Sequence, residues 1–522
     1  MNLKTSKLNL LFFGILFGFS IYFIIWGFGF IGSGNKIVFL LSTVFGIFMA
    51  FNIGGNDVAN SFGTSVGAGT LSITQALCIA AIFEASGAVI AGGEVTSTIR
   101  SGIIAIDGLN VNPNDFIFLM MGALFSAGLW LLFASKKGLP VSTTHAIVGG
   151  IVGGGLTLGF LMQNPDISPT NLIKWEKVGT IAISWVASPL IGGILSYAVY
   201  SVIKKYIINY NKIAQIKIER IKKEKKELRK KQKKIYETLN DIQKAAYTQA
   251  INHDINAMEN PDFTPDELDS EYYKKLNELD EKKENLKSHK ALELGIPMVA
   301  AGGAMVVSGV FIFKGLKNLD LGLSNLHNYL IIGMITLIVW LAMFIFAKTL
   351  RRSDLDKSTF LMFSWLQVFT ASGFAFSHGS NDIANAVGPF VAILDTLATN
   401  SINPHTPTNP MIMLTFTAAL VAGLWFMGRE VISTVGGGLT KIHPASGFSA
   451  EISSSAVVMA ASIFGLPISS THVLIGAILG IGLVNKSTNW GLMKPIGLAW
   501  IITLPASALM ASFWFLVFRA IF

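Results

Sequence analysis

Residues 56–60 read Asn-Asp-Val-Ala-Asn, and residues 381–385 read Asn-Asp-Ile-Ala-Asn, the same pattern 325 positions later. On a helix, residues three and four apart share one face, so each copy presents two amide groups and a carboxylate together. Hard cations such as Na⁺ take oxygen ligands of this mixed kind. An acidic residue inside an apolar segment is costly and indicates a function. The motif predicts asparagines that ligate a cation or orient the carboxylates, namely Asn56, Asn60, Asn381 and Asn385.

A second motif is duplicated in the same order along the chain. Residues 139–145 read Leu-Pro-Val-Ser-Thr-Thr-His, and residues 466–472 read Leu-Pro-Ile-Ser-Ser-Thr-His, an offset of 327 positions. Two motifs that recur at nearly the same offset indicate an internal duplication, with units at about 46–160 and 368–484. Duplicated halves with short apolar segments broken by Gly, Pro and polar residues are typical of transporters, and those segments mark the binding site.

The composition places these repeats in a membrane. Of the 522 residues, 52% are hydrophobic and only 14% are charged, whereas soluble domains carry about 25% charged residues. Residues 204–293 hold 21 of the 40 Lys and Arg and 17 of the 31 Asp and Glu. The rest of the chain is too poor in charge for a soluble globule, a nucleic-acid binder or a disordered scaffold. A single cysteine, Cys78, excludes an internal disulfide and a Cys-based zinc site, and we expect no cofactor.

Apolar stretches of about 20 residues, long enough to cross a bilayer as helices, recur along the chain. We therefore predict an all-α polytopic membrane protein with about eleven or twelve transmembrane spans. The expected segments are an extra N-terminal transmembrane helix at 1–36, a first transport repeat with flanking helices at 37–203, a charged insertion at 204–293, and a second transport repeat with flanking helices at 294–522.

The charged insertion is predicted to be a helical hairpin. Hydrophobic residues recur every seven positions from Ile221 to Ile242, and a second apolar stripe follows a turn near residue 260. Basic residues cluster in the insertion and again at 348–357. The positive-inside rule places both clusters on the cytoplasmic side of the membrane. We expect this membrane to be the plasma (cell inner) membrane. The insertion is either a solvated linker or a regulatory or dimer-contacting element.

The Ser- and Thr-rich motif predicts an anion site. Ser and Thr favour helix N-caps and Pro is accommodated at a helix start, so each copy is expected to open a half-helix. The unpaired N–H groups and the positive end of the helix dipole then face an anion, to which the hydroxyls also donate. An oxyanion is thereby held without Arg or Lys. The predicted donors are Ser142, Thr143, Thr144, Ser469, Ser470 and Thr471.

The acidic residues of the first motif decide which anion fits. Asp57 and Asp382 repel an anion unless cations intervene or the anion donates an O–H group to them. Phosphate near neutral pH carries O–H groups and sulfate carries none, so an acceptor carboxylate favours phosphate. Co-bound cations offset the remaining repulsion, which is a physical reason for symport. We therefore expect Asp57 and Asp382 to bind the substrate and to link it to the cation.

The two pairs of motifs, with His378-Gly379-Ser380 ahead of the second Asn-Asp copy, resemble those of the inorganic phosphate transporter (Pit) family. The resemblance covers about 37–200 and 296–521. It implies two inverted repeats, here with re-entrant half-helix hairpins, phosphate carried with Na⁺ or H⁺, and a homodimer. The N-terminal helix, the long insertion and Ser470 in place of a second Thr depart from the family pattern or from the first copy.

The resemblance also maps the family's repeat glutamates onto Glu84 and Glu451, as cation-binding residues. From the residues alone, Glu84 within a span is already a functional candidate. Glu451 is equally well explained as a helix-cap carboxylate.

The sequence thus predicts a secondary active transporter, not an enzyme. It moves inorganic phosphate across the lipid bilayer by symport with Na⁺ or H⁺ and alternating access, with no bound metal beyond Na⁺ and no nucleic-acid partner. The nearest alternative is a sulfate permease of the same fold. Alternatives of another class are a passive anion channel and an intramembrane aspartyl protease whose dyad would be Asp57 and Asp382. The Asn before each Asp and the absence of a Gly-x-Gly-Asp sequence argue against the protease.

Overall fold

The computed structural model describes residues 3–105, 111–162, 168–260, 263–286, 288–315, 322–351, 353–403 and 407–522, apart from the side chains of 3–6, 314–315 and 434–437. Within these ranges the backbone is almost entirely helical, and β-structure is limited to an isolated bridge between Ile104 and Ile173. The prediction of an all-α protein is confirmed.

Eighteen α-helices lie in the described ranges. The first half of the chain contains α1 Leu3–Phe30, α2 Lys36–Gly67, α3 Ile73–Ala91, α4 Gly93–Ser101, α5 Pro113–Lys136, α6 Thr143–Leu161 and α7 Trp175–Ile203. The insertion contains α8 Asn209–Thr238, α9 Asp241–Met258 and α10 Glu271–Asn285. The second half contains α11 Ile296–Val310, α12 Asn325–Thr349, α13 Leu355–Asp382, α14 Ala384–Thr399, α15 Pro410–Gly438, α16 Pro444–Ile463, α17 Ser470–Asn485 and α18 Trp490–Ile521.

Among the described residues, eleven helical stretches are long and apolar enough to cross a membrane. They begin with the stretch Lys7–Phe30 in the extra N-terminal helix and end with Trp490–Ile521. The number agrees with the eleven or twelve spans expected from the sequence. The chain is therefore a multi-pass membrane protein.

One compact unit comprises Met1–Ser201, Ala301–Ile338 and Phe363–Phe522. Within it α2 packs along α15, and α18 packs along α5 and α6. The extra helix α1 also belongs to this unit and packs on α15. Phe12 stacks on Trp425 with ring centroids 4.6 Å apart, and Trp425 Nε1 donates to Asn9 Oδ1 at 2.7 Å. Aromatic contacts thus fix the N-terminal helix on the unit that carries both pairs of motifs.

All four motif copies lie in this unit. The first Asn-Asp copy lies inside the continuous helix α2, whereas the second lies where α13 ends and α14 begins after Ile383. Each Ser- and Thr-rich copy opens a helix, α6 at Thr143 and α17 at Ser470. Both helices begin within the motif, as its cap residues and proline predict.

The other compact unit comprises Val202–Ala300 and Val339–Met362. In the described residues, the insertion forms three helices, α8, α9 and α10, whereas the predicted hairpin has two. Asn240 ends the first predicted helix early because its side chain caps a new one, forming a reciprocal capping box with Gln243. The seven-residue spacing therefore does not continue as one seam, and Ile242 is 84% exposed. Lys225 pairs with Asp280 and links α8 to α10.

Asp254 connects α9 to the start of α10. Its carboxylate accepts hydrogen bonds from Asp269 N at 2.7 Å, from Ser270 N at 2.9 Å and from the Ser270 hydroxyl. Burial acts to raise the pKa of Asp254, but these hydrogen bonds outweigh it, so the pKa lies below its ordinary value. The carboxylate therefore stabilises the folded insertion at neutral pH, and this stabilisation is lost as the pH falls through the lowered pKa.

We expect Asp254→Asn to loosen the junction of α9 and α10. Asparagine keeps the shape but turns an N–H group towards donors, at a cost of about 1–3 kcal/mol. Amide hydrogen exchange of the full-length protein at neutral pH should accelerate in α10, by about tenfold or more. The exposed Asp266→Asn is the matched control and should leave α10 exchange unchanged. Equal exchange rates in the two variants would contradict the assigned role of Asp254.

Candidate functional site

Asp57 and Asp382, one from each Asn-Asp copy, lie together in the interior of the unit that carries the motifs. Both side chains are buried. His378 lies between them, with its Nε2 atom 2.8 Å from Asp382 Oδ2 and 3.8 Å from Asp57 Oδ2. One ligand atom from each of the three residues lies within 4.8 Å of the others. The two halves of the chain thus contribute to one buried, charged cluster.

Hydroxyls of the second Ser- and Thr-rich copy contact both carboxylates. Ser470 Oγ donates to Asp382 Oδ2 at 2.6 Å, within its own half. Thr471 Oγ1 lies 3.3 Å from Asp57 Oδ1, which belongs to the other half. The predicted anion donors and the predicted acidic residues are therefore neighbours in space.

The serines that precede the two helices act as N-caps. Ser142 Oγ accepts from His145 N at 3.1 Å, and Ser469 Oγ accepts from His472 N at 3.2 Å. Each cap satisfies one of the otherwise unpaired N–H groups in the first turn. Each serine still has its O–H to donate, so the capping role is compatible with the predicted contact to an anion.

The asparagines at the end of each Asn-Asp copy reach across to the opposite half. Asn60 Nδ2 donates to Thr471 Oγ1 at 2.8 Å, and Asn385 Nδ2 donates to Thr143 Oγ1 at 3.2 Å. The two contacts are reciprocal, each joining an Asn-Asp copy to the other half's Ser- and Thr-rich copy. Within the described residues, Oδ1 of Asn60 and Oδ1 of Asn385 are buried without a hydrogen-bond partner. Two carbonyl oxygens therefore remain that could ligate a cation.

The asparagines that precede the aspartates have a different environment. Asn56 Nδ2 donates to Ser135 Oγ at 2.9 Å, and Asn56 Oδ1 accepts from Val141 N at 3.2 Å. The Asn381 amide lies 3.0 Å from Ser462 Oγ, in the corresponding place of the other half. These amides hold the segments that lead into α6 and α17. Their contacts fit the orienting role among the two roles expected for the asparagines.

Glu84 joins the aspartate cluster through His378. Glu84 Oε1 accepts from Ser61 Oγ at 3.2 Å and lies 3.3 Å from His378 Nδ1. This contact requires α3 and α13 to approach closely. A Cβ atom at Gly379 would lie 2.1 Å from the Glu84 carbonyl oxygen, so only glycine fits there. The imidazole thereby contacts three carboxylates.

Glu451 lies in a separate buried pocket of hydroxyl and amide groups. Its Oε1 accepts from Thr64 Oγ1 at 2.6 Å, from Ser65 Oγ at 2.8 Å and from Gln367 Nε2 at 3.1 Å. Its Oε2 accepts from Thr370 Oγ1 at 2.7 Å. Glu451 lies well inside α16, so the helix-cap alternative is wrong. A carboxylate surrounded by neutral oxygen-bearing side chains is an environment that suits a hard cation.

Sequence reasoning did not assign His378 to the centre of the site. The histidine has no counterpart in the first copy, and this concealed its importance. Its position four residues before Asp382, on the same helix face, was the available signal. The hydroxyl partners of Glu84 and Glu451 lie outside both motifs and had no comparable signal.

Comparison with known proteins identifies the family. The model of the phosphate transporter family matches residues 53–511. A provisionally named phosphate permease of Mycobacterium bovis is 55% identical over 97% of this chain and 92% of its own length. One of Haemophilus influenzae is 35% identical over 94% of this chain and 98% of its own length.

A solved structure described as "The sodium-dependent phosphate transporter" shares the fold. It superposes with a TM-score of 0.71 at 26% identity, over 93% of this chain and 100% of that chain. The predicted resemblance is confirmed, and the protease alternative is excluded because the relatives are transporters. The site geometry and these likenesses together lead to one conclusion: the chain is a membrane transporter, not an enzyme, and belongs to the phosphate transporter family.

Proposed function

We propose that the chain carries inorganic phosphate by Na⁺ symport, with H⁺ as the alternative coupling ion. Phosphate transport follows from the family, whereas the coupling and the ion are our proposal. The observation that carries it is the cluster of Asp57, Asp382 and Glu84 around His378. A phosphate bound beside three acidic side chains and one imidazole requires further positive charge. Cations that bind with the substrate supply it and must then travel with it.

The proposed anion donors are the helix starts of α6 and α17. Thr143, Thr144, Ser470 and Thr471 lie in the two first turns, with Ser142 and Ser469 as their N-caps. First-turn N–H groups and hydroxyls donate to phosphate oxygens. Asp57 and Asp382 accept the phosphate O–H groups, which sulfate lacks. The proposed site therefore selects phosphate over sulfate by its acceptor carboxylates as well as by its hydrogen-bond donors.

The proposed cation ligands form two groups. In one, the ligands are Asn60 Oδ1 and Asn385 Oδ1, from the same motif copies as the aspartates, and both atoms are buried without a hydrogen-bond partner in the described structure. Asn56 and Asn381 orient that group. In the other, Glu451 provides the charge and the surrounding hydroxyls provide neutral oxygens. Glu84 is also a proposed cation ligand and belongs with the first group, because it lies beside His378 in the aspartate cluster. Oxygen-only ligand sets of mixed charge suit Na⁺.

The mechanism we propose is alternating access between two inverted repeats with re-entrant half-helix hairpins. The repeats with their flanking helices occupy 37–203 and 294–522, after the N-terminal helix at 1–36. The insertion at 204–293 lies on the cytoplasmic side of the plasma membrane. The reciprocal contacts of Asn60 and Asn385 support a two-fold relation between the halves. A homodimer is the proposed assembly.

Uptake of labelled phosphate into proteoliposomes tests this proposal. Na⁺ and pH gradients are imposed separately on the purified full chain. We expect an inward Na⁺ gradient to drive accumulation of phosphate above its external concentration, and a pH gradient alone to drive little. Accumulation with the pH gradient alone would make H⁺ the coupling ion. Transport that never exceeds equilibration under either gradient would refute symport and favour a passive channel.

We expect Thr144→Val to weaken phosphate binding. Thr144 Oγ1 lies at the start of α6 and donates to Ile468 O at 3.0 Å. The proposal is that this O–H turns from Ile468 O to a phosphate oxygen when the anion binds, and valine keeps the shape of threonine without the hydroxyl. Loss of one donor to a charged ligand costs about 1.5–3 kcal/mol, so the phosphate KM should rise at least about tenfold. Initial uptake rates against phosphate concentration measure this.

Thr157→Val is the matched control in the same helix. Its hydroxyl donates to Gly153 O of its own helix, at 2.9 Å. The control should keep the wild-type KM. A Thr144→Val protein that behaves like the control would remove Thr144 from the anion site.

A further inference from the structure

We propose that Trp185 and Trp500 are positioning residues for phosphate binding, acting through His145 and His472. The four side chains are called the aromatic ladder below. The proposal deepens the proposed function, because it assumes that the starts of α6 and α17 hold the anion. Neither tryptophan lies in a motif, and both come from the helices that follow the two repeat units.

The ladder is a continuous series of ring contacts. The rings of Trp185 and His145 have centroids 3.9 Å apart, and those of His472 and Trp500 are 3.8 Å apart. The two histidine rings meet edge to face, with centroids 4.5 Å apart and planes at 87°. Tryptophan on α7, histidine on α6, histidine on α17 and tryptophan on α18 therefore form one line of contacts. The edge-to-face contact of the two histidine rings has the geometry in which aromatic pairs attract each other, and each tryptophan ring packs closely on its histidine.

The inner rings of the ladder belong to the helix starts themselves. His145 and His472 are the residues whose N–H groups are capped by Ser142 and Ser469. We expect an imidazole that loses its ring contact to loosen the first turn that carries it. Trp185 also holds the opposite copy, since its Nε1 atom donates to Pro467 O at 3.3 Å. Trp185 thus contacts both Ser- and Thr-rich copies.

Two hydrogen bonds beside the ladder join the same two segments. Thr144 Oγ1 donates to Ile468 O at 3.0 Å, and Thr471 Oγ1 lies 3.3 Å from Val141 O. These hydrogen bonds join the starts of α6 and α17 directly, and the aromatic ladder attaches both helix starts to α7 and α18. The spacing of the two sets of anion donors depends on both.

The ladder is not confined by packing on every side. A cavity of about 550 Å³ lies against all four rings and is otherwise lined mainly by apolar residues such as Ala182, Val186, Ile501 and Leu504. An imidazole that loses its tryptophan partner has space into which it can turn. On the side that faces this cavity each imidazole is covered by its tryptophan ring, while the rest of both histidines is buried, with 7% of His145 and 3% of His472 exposed. Removing one tryptophan ring should loosen the anion site without unfolding the unit.

Replacement of each tryptophan tests the proposal in proteoliposomes. Loss of one aromatic contact should raise the phosphate KM about fivefold to tenfold in Trp185→Leu and Trp500→Leu, with kcat within about twofold of wild type. Trp185→Phe and Trp500→Phe keep a ring and should raise KM only about twofold. The double Leu variant should raise KM by less than the product of the two single-variant increases, because each single replacement already interrupts the same series of ring contacts.

Trp130→Leu is the matched control. Trp130 is half-buried, and its Nε1 atom also bonds to α18, at Thr503, but its ring lies outside the ladder. It should leave the phosphate KM unchanged. A KM effect of the ladder variants equal to that of Trp130→Leu, or a fall in kcat without a change in KM, would overturn the proposal. If a Leu variant does not fold, the Phe variant at that position decides by its KM alone.

The outcome is separable from that of the symport proposal. If phosphate uptake proves independent of Na⁺ and H⁺ while ladder variants still raise KM, the coupling fails and the ladder stands. If uptake is coupled and the ladder variants match the control, the ladder fails alone.

Discussion

Asp57→Asn and Asp382→Asn are each expected to reduce phosphate uptake at least about a hundredfold, the largest effects that the account predicts. Each carboxylate is buried, contacts His378 and a hydroxyl from a Ser- and Thr-rich copy, and is proposed to accept a phosphate O–H group. A phosphate O–H group that loses its charged acceptor costs about 1.5–3 kcal/mol of binding free energy, and His378 loses one of its carboxylate partners as well. Asparagine has nearly the same shape, so the fold should survive.

Labelled-phosphate uptake and monodispersity of the purified variants measure this together. Asp115→Asn is the control, since Asp115 lies at the start of α5 and pairs with Arg519 at 2.9 Å, away from the site. The control should transport like wild type. Full activity in both Asp57→Asn and Asp382→Asn would remove the central assignment, whatever the effect of other variants.

Glu451→Gln is expected to change the response to Na⁺ rather than to phosphate. Four side chains donate to the Glu451 carboxylate, and these neutral oxygens and the carboxylate form the proposed cation pocket. The neutral amide removes the charge and turns an N–H group towards those donors. The Na⁺ concentration for half-maximal uptake should rise at least about tenfold, equivalent to about 1.4 kcal/mol. The phosphate KM at saturating Na⁺ should change much less.

The control for Glu451→Gln is Glu176→Gln, at the exposed start of α7. Uptake at a fixed phosphate concentration, with Na⁺ replaced stepwise by choline, gives the half-maximal Na⁺ concentration of each protein. A Glu451→Gln protein with unchanged Na⁺ dependence and a raised phosphate KM would reassign Glu451 to the substrate.

The parts of the fold that follow from local sequence patterns could be predicted. Apolar length gave the number of spans, because burial of backbone polar groups in lipid requires whole helices. The starts of α6 and α17 followed from cap chemistry at Ser142 and Ser469. The duplication made Asp57 and Asp382 a candidate pair, since related segments of two halves occupy related places.

The parts that depend on tertiary neighbours could not be predicted. His378 has no duplicate, and its three carboxylate contacts arise from the close approach of α3 and α13. The surroundings of Glu451 combine α2, α13 and α16, whose contributing residues share no motif. In the insertion, the heptad spacing suggested one long helix, but the cap at Asn240 began another.

The most direct test of the central claim is equilibrium binding of labelled phosphate to the purified protein at constant ionic strength, with Na⁺ exchanged for choline. The account holds that phosphate binds beside Asp57 and Asp382 only when cations neutralise them. It predicts that Na⁺ lowers the phosphate Kd at least about tenfold in the wild-type protein. An identical Kd with and without Na⁺, at every pH at which the protein transports phosphate, would contradict it.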